Sequence, residues 1–377
     1  RARLAEFKYT RMGPKAETVA VGRSEPEREP LPPGPLFGPP LDLVVPAGGA
    51  PARLTTADMD GDGRLDLYRV STSDSLVLTD DGQGGYRVRG EHPLSGINGI
   101  VAALWGDLNN DGHVDVYLCR LGPNQLWFGG PDGAWKEAGE ETGTDDQAHC
   151  SDGGLLDADH DGDLDIFVVN ANAPDELFSN NLDGSFRRLA RTSGIEGGPG
   201  PGQFMTADLD GDRDTDVIVV RPSGSQIWIN DRLWQYRPAS GFDVFGSAPL
   251  VGAVVGDRDA DGRPEIYTLD NTGSLQAWTP SQDGGWSPSS VSEIDGDDVT
   301  LALADLDGDG RRELVAYVRG DLGKTGVRNL ARICTRSGHD HLRFVFAGQT
   351  FHFRVVDLAG RRIEPILHGV VELTGEV

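Results

Sequence analysis

Residues 58–66 read DMDGDGRLD, and the same nine-residue pattern returns five times. The later copies are DLNNDGHVD from Asp107, DADHDGDLD from Asp157, DLDGDRDTD from Asp208, DRDADGRPE from Asp257 and DLDGDGRRE from Asp305. Their first residues lie 49, 50, 51, 49 and 48 residues apart. A repeat of this length is one supersecondary unit stacked on its neighbours, so it governs the fold before any single element does.

The chemistry of the stretch is that of a hard-cation loop. Oxygen ligands stand at positions 1, 3, 5 and 9, and position 7 can add its backbone carbonyl. Ca2+ takes six to eight oxygens, with water completing the shell, and glycine at position 6 permits the sharp bend. The candidate ligands are Asp58, Asp60, Asp62 and Asp66 in the first loop, then Asp107, Asn109, Asp111 and Asp115 in the second. The third has Asp157, Asp159, Asp161 and Asp165, and the fourth Asp208, Asp210, Asp212 and Asp216. The fifth has Asp257, Asp259, Asp261 and Glu265, and the sixth Asp305, Asp307, Asp309 and Glu313. Carbonyl ligands would come from Arg64, His113, Asp163, Asp214, Arg263 and Arg311. Up to six structural Ca2+ ions are expected. The fourth loop has Arg213 where glycine belongs, which makes it the weakest of the set.

An EF-hand begins in the same way but needs a glutamate at position 12 and flanking helices. Position 12 here is Arg69, Leu118, Val168, Val219, Thr268 and Ala316. The runs after the loops (LDLYRV, VDVYLC, LDIFVV, TDVIVV, PEIYTL and RELVAYV) are strand material. Each is followed by a hairpin such as QLWFGGPDGAWKE from Gln125 or ELFSNNLDGSFRRLA from Glu176. A unit of about four antiparallel strands every 49 residues or so is a propeller blade. A calcium β-helix would repeat every nine or eighteen residues, so it is excluded. The expectation is an all-β propeller over residues 36–377, preceded by a proline-rich tail or linker at residues 1–35. Seven blades are favoured over six. The seventh would lack a metal loop and be closed by tail strands (LRFVF, TFHFRVV) with LDLVV at residues 41–45.

On these residues the chain resembles the FG-GAP, or VCBS, repeat family, which carries the DxDxDGxxD loop within a propeller blade, as in the headpiece of integrin α chains. The stretch GSAPLVGAVVGDRDADGRPEIY shows the pattern. The hairpin ELFSNNLDGSFRRLARTSGI is also similar to the blades of cartilage-acidic-protein-like and ASPIC/UnbV propellers. The resemblance implies loops joining the two innermost strands of each blade, with the metals on one face and the other face and rim free for partners.

Composition agrees. The formal charge of −26 includes 23 carboxylates at ligand positions, and six Ca2+ would bring it to −14. Nucleic acid needs a basic footprint and is excluded as a partner. No apolar run reaches membrane-spanning length, so no transmembrane segment is expected in this chain. A chain beginning with Arg1 reads as processed or as a fragment. Cys119, Cys150 and Cys334 form no disulfide framework and read as small buried hydrophobes.

Other features have plainer readings. Trp127, Trp228 and Trp278 could stack on sugars but fit better as blade packing. Arg319, Gly320 and Asp321 spell an adhesion tripeptide by chance, and His339 and His341 sit in a solvated turn. There is no phosphate loop and no GxSxG elbow, and no acid or base can be singled out. The functional expectation is a non-enzymatic, calcium-binding scaffold for adhesion or for a protein or carbohydrate ligand on the propeller face. It would be extracellular, periplasmic or at the cell surface. The alternative is a polysaccharide lyase or hydrolase on a propeller core.

Overall fold

Strands rich in Val, Ile, Leu and aromatics, cut by acidic turns at a fixed period, can hide their apolar faces only by stacking sheet on sheet. The computed structural model describes residues 52–258, 260–280, 285–294, 298–304, 312–321, 327–334 and 354–356. All of them belong to one unit, Leu41–Val377. The expected tail at residues 1–35 lies outside the described residues.

Six four-stranded sheets follow one another along the chain, each with its strands in sequence order. The first comprises β1 (Ala52–Ala57), β2 (Asp66–Ser71), β3 (Ser75–Asp80) and β4 (Tyr86–Arg89). The second holds β5 (Ile100–Gly106), β6 (Asp115–Arg120), β7 (Gln125–Gly130) and β8 (Ala134–Glu137). The third holds β9 (Cys150–Leu156), β10 (Asp165–Asn170), β11 (Glu176–Asn180) and β12 (Phe186–Arg188). The fourth holds β13 (Gln203–Ala207), β14 (Asp216–Val220), β15 (Gln226–Asn230) and β16 (Tyr236–Pro238). The fifth holds β17 (Leu250–Gly256), β18 (Glu265–Asp270), β19 (Ser274–Pro280) and β20 (Trp286–Glu293). The sixth holds β21 (Asp298–Ala304), β22 (Glu313–Asp321), β23 (Val327–Cys334) and β24 (Arg354–Val356). Pairing is antiparallel except for β24, which runs parallel to β23. Short helices α1 (Gly139–Thr142), α2 (Ala190–Ser193) and α3 (Asp243–Ser247) link the second to fifth sheets.

The second strands of the first five sheets are covered on both faces: β2, β10 and β14 are buried throughout, and β6 and β18 in all but their last residue. Five apolar cores fill the gaps between consecutive sheets. Packing is close enough to demand glycine at Gly154, where a Cβ would lie 2.1 Å from the Phe204 ring of the next sheet. The first strands face a common centre. Residues of β1, β9, β13, β17 and β21, among them Arg53, Asp152, Gln203 and Thr300, border one cavity of about 660 Å3. This is a β-propeller, with each sheet a blade and the cavity its central channel.

Six blades are seen among the described residues. Of the strands expected for a seventh, residues 354–356 pair into the sixth sheet instead, because their partner β23 offers its free edge. Residues 41–45 and 342–346 lie outside the described residues. No helix among the described residues is long and apolar enough to cross a membrane.

Candidate metal sites

Each of the first five acidic stretches forms the turn between the first and second strands of its blade, as expected, and residues 305–311 of the sixth lie outside the described residues. The carboxylate at position 1 folds back over the turn. Asp58 accepts the N–H of Asp62 on Oδ1 at 3.1 Å and that of Gly63 on Oδ2 at 2.9 Å. Asp107, Asp157 and Asp257 repeat both bonds. The position-5 carboxylate then accepts the N–H of position 7, as from Arg64 to Asp62 at 2.9 Å. To bring these N–H groups inward, the chain turns left-handed twice. Position 4 has φ between 57° and 81° (Gly61, Asn110, His160, Gly211, Ala260), and position 6 between 76° and 94° (Gly63, Gly112, Gly162, Arg213, Gly262).

Position 9 does a different job. Asp165 accepts the Ala158 N–H on one oxygen and the Asn180 N–H on the other, both at 2.8 Å. Asp66, Asp115 and Asp216 do the same with Met59 and Asp80, Leu108 and Gly129, and Leu209 and Asn230. One carboxylate thus ties the loop, the second strand and the end of the third strand together. These acids are at most 1% exposed. Burial pushes the carboxyl of Asp115 up to about 6 and those of Asp165 and Asp216 up to about 7, with the neighbouring loop acids adding to the rise. Asp159 rises to about 6, through burial first and then the charge of Asp161.

The donor set fits Ca2+. Carboxylate oxygens of Asp58, Asp60 and Asp62 lie within 4.8 Å of one another, as do those of Asp157, Asp159 and Asp165, of Asp208, Asp210 and Asp216, and of Asp257, Asp261 and Glu265. Oxygens across a Ca2+ ion, each at roughly 2.3–2.6 Å, stand about 5 Å apart. The acids are therefore gathered at the spacing of a hard cation's shell, and every donor is oxygen, which disfavours thiophilic metals.

A family model for the FG-GAP-like repeat matches residues 58–118, 157–219, 208–268 and 257–316, together more than half of the chain. The chain belongs to the FG-GAP repeat family. No curated protein matches it. Among solved structures it is similar to a lectin of Agrocybe aegerita that recognises non-reducing terminal N-acetylglucosamine. That match is 17% identical, covers 74% of this chain and 80% of the lectin, and has a TM-score of 0.50. It is also similar to BBS1N, solved in complex with ARL6DN, at 13% identity over 76% of this chain and 81% of that one, with a TM-score of 0.49. The likeness to the lectin shows the fold alone.

The FG-GAP loops also join blade to blade, which no periodicity reveals. The position-2 carbonyl of one loop accepts a donor from the next blade: Trp135 Nε1 to Met59 at 3.3 Å, Asn180 Nδ2 to Leu108 at 2.7 Å, and Asn230 Nδ2 to Ala158 at 3.0 Å. The Arg312 N–H bonds the Arg258 carbonyl at 3.2 Å in the same way. The available signal was the asparagine that ends both ELFSN and QIWIN. Positions 4 and 7 of adjacent loops meet as well: Asn110 Nδ2 donates to Asp163 at 2.8 Å, and His160 lies 3.5 Å from Asp214.

The FG-GAP loops differ among themselves. Arg64 pairs with Asp62 and, at 2.9 Å, with Asp80. Asn109 offers its amide oxygen to the Asp111 N–H at 3.0 Å. In the fourth loop Arg213 adopts φ 76°, so the expected strain is present, and Asp210 faces Arg237 at 3.4 Å. Asp259, Asp305, Asp307, Asp309 and Arg311 lie outside the described residues, while Glu313 opens β22 and is buried.

Trp228 and Trp278 are buried in the cores, and Cys119 and Cys150 share the core between the second and third blades. Arg319, Gly320 and Asp321 lie in β22, paired with β23 rather than on a loop. His339 and His341 lie outside the described residues.

Proposed function

We propose that this FG-GAP propeller is a calcium-binding, non-catalytic scaffold for adhesion or ligand binding outside the cytoplasm. The observation that carries the reading is the gathering of three carboxylates within 4.8 Å in four loops. Such clusters repel at neutral pH, and a divalent cation removes the repulsion while locking the turn between two inner strands. Asp58, Asp157, Asp208 and Asp257, with their partners at positions 3, 5 and 9, would hold the ions, and each ion would supply charge neutralisation and rigidity. Sites of this kind work at roughly 10^-4 to 10^-3 M in extracellular modules, which supports placement where Ca2+ is abundant. The lectin named above recognises a sugar, and its likeness in fold is compatible with a carbohydrate partner here.

The test is equilibrium dialysis with 45Ca together with thermal melts. Several ions per chain and a melt raised by Ca2+ are expected. An unchanged melt and no bound Ca2+ would refute the reading.

A further inference from the structure

Among the described residues, the blade-to-blade contact through the position-2 carbonyl fails at one place, the fourth loop. Asn180 ends β11 and Asn230 ends β15, the third strands of their blades. The residue at the same place in the fifth blade is Pro280, which ends β19. Proline has no side-chain amide and no N–H. It can neither reach the Leu209 carbonyl of the fourth loop nor complete the double backbone bond to position 9, where Glu265 replaces aspartate. Among the described residues nothing donates to that carbonyl in its place. A cavity of about 760 Å3 opens at this point, between the fourth and fifth blades and beside their metal loops.

We propose that this cavity is a binding site for a neutral saccharide. The inference rests on the binding-scaffold reading and gives that scaffold a ligand class. The cavity is lined by Leu209, Asp210, Arg237, Ser240, Arg263 and Trp286. Trp286 is half-buried and packs on Phe242 with ring centroids 5.1 Å apart, which fixes the indole and leaves part of it toward the cavity. An indole of this kind can take the apolar C–H face of a sugar ring. Around it stand an acceptor (the Leu209 carbonyl) and donors (Arg237, Arg263, Ser240), the mixture that vicinal hydroxyls need. The volume lies within the roughly 300–1,000 Å3 of ligand pockets. A polyanion is disfavoured by the formal charge of −26.

The experiment titrates the calcium-loaded full chain with chito-, cello- and galacto-oligosaccharides, with polygalacturonate as the charged comparison. Tryptophan emission and calorimetry report binding. A neutral oligosaccharide should bind and shift the emission. Trp286→Ala should weaken it at least tenfold, whereas Trp127→Ala should leave it within twofold. Pro280→Asn restores an amide aimed at the Leu209 carbonyl. It should also weaken binding at least tenfold, yet melt no lower than the parent protein, so loss of binding cannot be laid to unfolding. Binding of none of the neutral sugars, binding of polygalacturonate alone, or full affinity in Pro280→Asn would each overturn the proposal. A calcium-dependent melt with no sugar binding would sink this inference alone. Sugar binding with no calcium effect would sink the metal reading alone.

Discussion

Stripping Ca2+ should make this propeller more stable in weak acid than at neutral pH. Asp165 and Asp216 have carboxyls raised from 3.8 to about 7, first by burial and then, against two backbone N–H bonds, by the other loop acids. A raised carboxyl binds more protons folded than unfolded, so stability is lost as pH rises between about 4 and 7. From pH 5 to pH 7 each residue changes by about 1.36 kcal/mol per pH unit, or roughly 3 kcal/mol, and the pair sets a ceiling near 6 kcal/mol. Relaxation of the loops toward water reduces this to about 2–3 kcal/mol. At about 2.1 cal/mol/K per residue, that is a drop in Tm of roughly 3–4 °C. Ca2+ reverses the trend because it needs the ionised ligands. At 100 times Kd each site adds about 2.7 kcal/mol, and four sites give roughly 10 kcal/mol. Calorimetry at pH 5.0 and 7.5, with EDTA and with Ca2+, reads both effects. An EDTA-treated chain that melts higher at pH 7.5 than at pH 5.0 would refute the reasoning, as would a calcium effect that grows in acid.

Three further outcomes follow from the packing. Arg213→Gly releases a left-handed backbone from its Cβ and should stabilise the chain by about 1 kcal/mol while tightening the fourth calcium site, read by melts and calcium titration. Asn180→Ala leaves the Leu108 and Leu164 carbonyls without their side-chain donor and should cost about 1–3 kcal/mol in denaturant unfolding; a cost near zero would mean that blade-to-blade bonding is unimportant there. Arg221→Ala strands the Asp175 carboxylate, which it meets at 2.5 Å with both side chains at most 2% exposed; a loss of about 3–5 kcal/mol is expected, and a surface-like loss below 1 kcal/mol would contradict the burial.

The order of strands, the turn between the first two of each blade and the glycine at position 6 were all legible from DMDGDGRLD and its copies, because each depends on residues within one short stretch. The carboxylates that four of the loops gather within 4.8 Å were legible for the same reason. What the linear pattern hid is what the acid at position 9 does. It appears there as one more metal ligand, yet in the fold it also holds Asp80, Gly129, Asn180 or Asn230, 14 or 15 residues onward, by the backbone N–H.

The joins between blades were less visible still. Asn230 meets Ala158 across 72 residues, a distance no local propensity encodes. Tertiary structure alone decided that the asparagine ending a hairpin strand plugs the gap beside the previous loop, and therefore that Pro280 leaves a cavity there. Local chemistry settles which atoms can turn and which can hold a cation. Only the stacking of blades settles which backbone carbonyl finds a donor, because a hydrogen bond needs its partner within about 3 Å in space, wherever it lies in the chain.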